Sequence, residues 1–198
     1  MKKGRLEAFS DAVFAIIITI TVLTITAPRE TSFYALVAVL PKIITYLLSF
    51  VYVGIYWNNH HHLMGLSTGI NGRIMWANLH LLFWISLIPF ATSWVGENYT
   101  AAVPVATYGV ILLFSLMAFN LLEKSLIKFH NQNHPEQKKI PKRKKETISF
   151  IIYIVSIALC FVNTIFSIIG YVVVASLWFV PNKEWEKRLL DINREEKT

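Results

Sequence analysis

The stretch RLEAFSDAVFAIIITI, residues 5–20, decides what kind of protein this is. Its second half is apolar and continues to Ala27, while its first turns carry Arg5, Glu7, Ser10 and Asp11. Asp11 and Asp191 are the only aspartates in the chain. The apolar run from Ala8 to Ala27 is about 20 residues, the length of one bilayer crossing. Met1 to Arg5 resembles the basic start of a signal peptide, but a signal core is short and uncharged, and this run is neither. It reads as a retained membrane helix, closed by Pro28, Arg29 and Glu30.

Working outward, the whole chain has the same character. Its 198 residues are 55% hydrophobic and 16% charged, with a mean hydropathy of +0.49. Soluble domains carry about 25% charged residues, so a soluble fold is excluded. The length suits one membrane domain, and the expected class is all-α with six membrane helices. The spans are placed at about residues 8–27, 32–63, 74–95, 101–122, 147–162 and 164–180, making residues 1–182 a single six-helix unit and 183–198 a charged tail. The second stretch exceeds one span and contains Pro41, so it is either a kinked helix or a short surface helix followed by a span. The block Thr147 to Val180 is read as two tightly turned helices breaking near Asn163.

Charge sets the expected orientation. With six spans, 17 of the 19 lysines and arginines fall on one side, leaving only Arg29 and Lys42 opposite. Both termini are therefore expected in the cytoplasm. The net charge of +7 follows from this asymmetry and does not call for nucleic acid. The cluster KKIPKRKK (residues 138–145) fits topology and contact with anionic lipid.

At 100° per residue, Phe9, Ile16, Ile20 and Leu23 lie within about 40° of one line on the first helix, with Arg5 extending it. Thr19 flanks this line by about 60°, and Asp11 lies about 140° away from it. The ordinary interpretation of such a line is a lipid-facing or packing stripe. Asp11 has an equally ordinary reading, an anion near a helix N-terminus. Buried carboxylates in membranes nevertheless usually find partners. Two other segments supply candidates at the same depth: YWNNHHH (Tyr56 to His62) and NGRIMWANLH (Asn71 to His80). Trp57, Asn58, His60, His61, Arg73, Trp76 and Asn78 are thus available to pair with Ser10 and Asp11.

These residues carry a resemblance. Arg5, Phe9, Ser10 and Asp11 spell R-x-x-x-F-S-D at the start of the first helix, which is similar to the hallmark of the transmembrane-protein-175 family of potassium channels. YWNNHH and the run from Trp76 through Leu81 to Phe90 resemble that family's second and third helices, so the motifs cover roughly residues 1 to 95. The resemblance implies six helices per repeat with the first helix lining a central pore, and, for a single-repeat prokaryotic member, a homotetramer in the cell membrane. It implies an apolar constriction at Ile16, a threonine layer at Thr19, and Ile20 and Leu23 lining the pore further out. The permeant species is then the potassium ion, with no cofactor.

The chain contains no T-V-G-Y-G filter, so a carbonyl-ring selectivity mechanism is absent. His60, His61 and His62 diverge by about 100° each and cannot converge on one metal ion. His130 and His134 have the i, i+4 spacing of helical zinc ligands but are read in a polar loop beside Pro135. The lone Cys160 offers neither disulfide nor metal site. Asn98-Tyr99-Thr100 matches a glycosylation acceptor only by chance. No nucleophile set, phosphate loop or paired carboxylate supports an enzyme. The competing class is a proton-coupled transporter or proton-conducting carrier using Asp11 and nearby histidines, against which stands the lack of an inverted repeat with broken helices.

Overall fold

The computed structural model describes residues 3–65, 69–133 and 144–179. Among these, every regular element is a helix: α1 (Lys3–Leu23), α2 (Phe33–Gly65), α3 (Gly72–Ser86), α4 (Ile88–Glu97), α5 (Ala102–Asn133), α6 (Lys144–Leu159) and α7 (Thr164–Phe179). The tail after Phe179 and the cluster from 138 to 143 lie outside the described residues. Four stretches are long and apolar enough to cross a membrane, namely α1, α2, α3–α4 together and α5. Helices α6 and α7 run 16 residues each, about 24 Å.

Local chemistry explains where the helices stop. α1 begins at Lys3 and ends at Leu23, four residues before the expected Ala27. Thr24, Ile25 and Thr26 are β-branched and Pro28 disfavours a helical Ala27; the last turn closes through Thr24 and Ile25 N–H groups bonded to the Thr21 and Val22 carbonyls. α2 starts behind Ser32, whose Oγ accepts from the Ala35 N–H at 3.2 Å. Of the two readings of Pro41, the helical one holds, because α2 continues through it to Gly65.

The third span is not one rod. Pro89 lacks the N–H that would reach the Ile85 carbonyl and its ring crowds that oxygen. The helix accordingly breaks at Leu87, whose N–H bonds back to Trp84 O at 3.2 Å. α5 also differs from expectation. It runs to Asn133 and carries His130 on a buried helical face instead of in a loop. His134 lies outside the described residues, and no metal-competent group of three His, Cys, Asp or Glu gathers among those described. The α6–α7 turn falls at 160–163 as the sequence suggests, with the Asn163 Oδ1 accepting from the Ile165 N–H at 2.9 Å.

With α3 and α4 taken as one span, the spans alternate in direction: one end of the bundle holds the start of α1, and the other holds the start of α2, the end of α4 and the start of α7, brought together by the Lys42–Glu97 pair and by Pro41, Val95 and Ile168 around one cavity. α5 packs against α3, α4, α6 and α7, while α1 packs against α2, α3 and α4. Between the apolar layers lies a belt of buried hydroxyls. Ser49 Oγ sits 2.6 Å from Thr92 Oγ1 and 2.9 Å from Tyr108 Oη. Tyr52 Oη donates to Tyr171 O at 2.6 Å and accepts from Tyr153 Oη at 3.2 Å. Tyr171 Oη donates to Val105 O at 3.1 Å, passing directly over Gly109, where no side chain would fit. Such bonds tie helices together where neither water nor lipid supplies a partner.

Candidate functional site

The first helix presents two faces. Leu6, Ser10, Phe14, Ile17 and Thr21, spaced four, four, three and four apart, are buried against α2, α3 and α4. About 120° around the helix, the Phe9, Ile16, Ile20 and Leu23 line is uncovered by the rest of the chain. Ile16 is 54% exposed and Leu23 77%. Thr19 is exposed on the same side and donates its hydroxyl to the Ile16 carbonyl at 2.8 Å.

The buried face is held by a directional chain of hydrogen bonds. Ser10 Oγ donates to Leu6 O at 2.8 Å. Its lone pairs accept from Asn78 Nδ2 at 2.9 Å. Asn78 Oδ1 pairs with His60 Nε2 at 2.8 Å. An amide oxygen only accepts, so His60 Nε2 carries the hydrogen and the whole chain runs His60 to Asn78 to Ser10 to the α1 backbone. Reversing the amide would set its oxygen against the Ser10 lone pairs, because the Ser10 hydrogen is already given to Leu6 O. Ser10, Asn78 and His60 are all inaccessible to solvent, and the His60 ring packs on Phe14 with centroids 5.6 Å apart. One polar thread therefore joins α1, α2 and α3.

Asp11 takes part in a second contact at the rim of the same helix. Trp57 Nε1 donates to Asp11 Oδ1 at 3.0 Å, and the His61 ring stacks on Trp57 at 6.4 Å. Both Asp11 and Trp57 are exposed.

Three residues expected in this cluster, Asn58, Arg73 and Trp76, lie outside it. Arg73 and Trp76 are exposed, Trp76 by 75%. Helical geometry gives the reason: with Asn78 turned towards α1, Trp76 lies about 200° and Arg73 about 140° around α3. Asn58 and Arg5 are likewise exposed. Missing from the sequence reading were the buried hydroxyl belt and the buried Glu123 and His130 of α5. Leu122, Leu126 and Phe129 at i, i+4 and i+7, with Glu123 and His130 seven apart, are the signal that this segment stays helical.

An all-helical membrane protein with a first helix tied on one face and bare on the other is the class these observations define. Residues 5–89 match the family model for the endosomal/lysosomal potassium channel TMEM175. A potassium channel from Chryseobacterium sp. (strain P1-3) is 49% identical over 189 residues, covering 96% of this chain and 98% of that protein. The endosomal/lysosomal proton channel TMEM175 of Danio rerio is 27% identical over 195 residues, and this chain spans 36% of its length. The crystal structure of a lysosomal potassium-selective channel TMEM175 homolog from Chamaesiphon minutus superposes with a TM-score of 0.77 at 28% identity, covering 89% of this chain and 95% of that one. The chain belongs to the TMEM175 family of ion channels.

Proposed function

We propose that this protein is a potassium-permeable cation channel whose pore forms where the first helices of four copies meet, with Ile16 at the constriction and Thr19, Ile20 and Leu23 lining it further out. The observation carrying this is the uncovered Phe9, Ile16, Ile20, Leu23 line, about 120° around α1 from a face locked by the Ser10–Asn78–His60 chain. A lipid-facing stripe would account for the exposure alone, but the family relationship and the fixed orientation together favour a pore wall.

In this reading α6 and α7 form a hairpin of two short spans, giving six, with both termini in the cytoplasm of a prokaryotic cell and the basic 138–145 cluster against anionic lipid. An apolar ring offers a cation no ligands, so the ion passes partly hydrated and discrimination between potassium and sodium is modest.

The test is cation flux into liposomes containing purified protein. Ile16→Asn is expected to raise flux several-fold and lower potassium preference. Flux that needs an imposed gradient of a second solute, or that ignores this substitution, would overturn the channel reading. The name of the Danio rerio relative keeps proton conduction as a second reading. A pH-sensitive dye in the same liposomes decides it: proton entry abolished by Asp11→Asn with potassium flux intact would favour the carrier.

A further inference from the structure

The far end of the bundle, opposite the start of α1, holds a cavity of about 330 Å³. Its walls are Ile44, Thr45 and Leu48 of α2, Val105 and Tyr108 of α5, and Ile168, Tyr171 and Val172 of α7, with Pro41, Val95 and Tyr99 closing the outer end. The volume is more than twice the roughly 150 Å³ of an engineered apolar cavity that takes up benzene.

The lining shows what belongs there. Its buried tyrosines and half-buried Thr45 already bond elsewhere: Thr45 to Pro41 O at 2.8 Å, Tyr108 to Ser49 at 2.9 Å, and Tyr171 to Val105 O at 3.1 Å. With the hydrogens of these hydroxyls already used and the rest of the wall almost entirely aliphatic and aromatic, the lining rewards a polar solute little and the site suits hydrocarbon. The floor residues Val105, Tyr108 and Tyr171 are fully buried, whereas Ile44 on α2 and Val172 on α7 are exposed. The mouth therefore opens sideways between α2 and α7, towards the lipid phase. At its outer rim Lys42 Nζ meets Glu97 Oε1 at 2.9 Å. That ion pair is net neutral and offers opposite charges side by side, complementary to a zwitterionic headgroup. From Lys42 to Leu48 the wall descends about 9 Å along α2.

We propose that this cavity binds one acyl chain of a zwitterionic phospholipid, entering between α2 and α7 with its headgroup at the Lys42–Glu97 pair. The site lies away from the exposed line of α1 and stands whether or not that line is a pore.

The experiment uses the full chain in nanodiscs containing a small fraction of phosphatidylethanolamine with a diazirine midway along one acyl chain. After illumination, adducts are mapped by mass spectrometry. The expected result is several-fold enrichment at Leu48 and Val172 over Ile154 and Val173, which are exposed positions outside the cavity. Val172→Phe narrows the mouth and is expected to cut labelling of Leu48 several-fold; Ile168→Phe provides the same comparison if the first variant does not fold. Uniform labelling of all exposed positions, or enrichment that survives both variants, overturns the proposal. So does enrichment seen with a diazirine-bearing free fatty acid but not with the phospholipid. Crosslinking of Ile44→Cys to a neighbouring copy in place of lipid labelling would show a protein occupant and overturn it too.

Discussion

Replacing Asn78 with leucine cuts the one polar thread joining α1, α2 and α3. The swap nearly conserves volume, so packing changes little and the effect is dominated by hydrogen bonds. Two are lost, one to Ser10 Oγ at 2.9 Å and one from His60 Nε2 at 2.8 Å. The costs are unequal. Ser10 keeps its own donation to Leu6 O and loses only an incoming donor, whereas His60 is left with a buried N–H facing a methyl group. A buried donor stranded in this way costs about 1–3 kcal/mol. Interhelical bonds measured inside membranes average about 0.6 kcal/mol and reach about 1.7, because the unfolded chain in lipid also finds partners. The two figures together place Asn78→Leu at about 1–3 kcal/mol, a 5- to 150-fold shift in the folding equilibrium. The assay is reversible unfolding in mixed micelles on titration with a denaturing detergent, followed by circular dichroism. A double-mutant cycle with Ser10→Ala isolates the bond between α1 and α3. Single-mutant costs that add to within about 0.3–0.5 kcal/mol would show the two residues to be uncoupled, and the account of the buried face would fail.

Three other outcomes follow from the same geometry. Thr19→Val in a reconstituted channel is expected to reduce potassium preference while conduction persists, and Thr19→Ser to retain it; an unchanged reversal potential for the valine variant under bi-ionic conditions would remove Thr19 from the pathway. Gly109→Ala drives a methyl group into Tyr171 Oη and Gly170→Ala drives one into Ser156 Oγ, so each should cost about 1–3 kcal/mol by overpacking, read as a lowered melting temperature; Gly54→Ala, with no neighbour within 4 Å, should hold or slightly raise it. Asp11→Asn retains an acceptor for Trp57 and should assemble normally, whereas Asp11→Ala should shift the native-mass distribution towards smaller species more than it alters selectivity.

The sequence was legible where a single helix carried the information. The angular separation of the Ile16 line from Asp11 is a property of α1 alone, and so is the placement of Ser10 about 120° from Ile16. What could not be read depended on partners distant in sequence. Ser49 meets Thr92 and Tyr108, and Tyr52 meets Tyr171; nothing local marks these hydroxyls as a belt, since each could have bonded to its own helix backbone. Depth alone places Arg73 and Trp76 with Asn78, but depth does not say which face of α3 turns towards α1. The break at Leu87 was local and legible in principle, because Pro89 removes one donor, but the apolar residues around it make the span look continuous.

The distribution of polar bonds along α1 has a mechanical consequence. Among the described residues, its ties to other helices through side-chain hydrogen bonds lie at Ser10 and Asp11, in the first half of the helix. Further along, Thr19, Thr21 and Thr24 donate to carbonyls of α1 itself. From Phe14 to Thr21 the buried face is held to its neighbours by packing, which is non-directional and individually weak per contact. The helix is thus registered by directional bonds at one end and seated by dispersion at the other. A hydroxyl already bonded to its own backbone still has lone pairs to offer, and Thr19 turns them to the uncovered side one turn beyond Ile16. The same local bond that frees α1 from needing a partner at that depth places an oxygen beside the apolar line, where the proposed pore would need one.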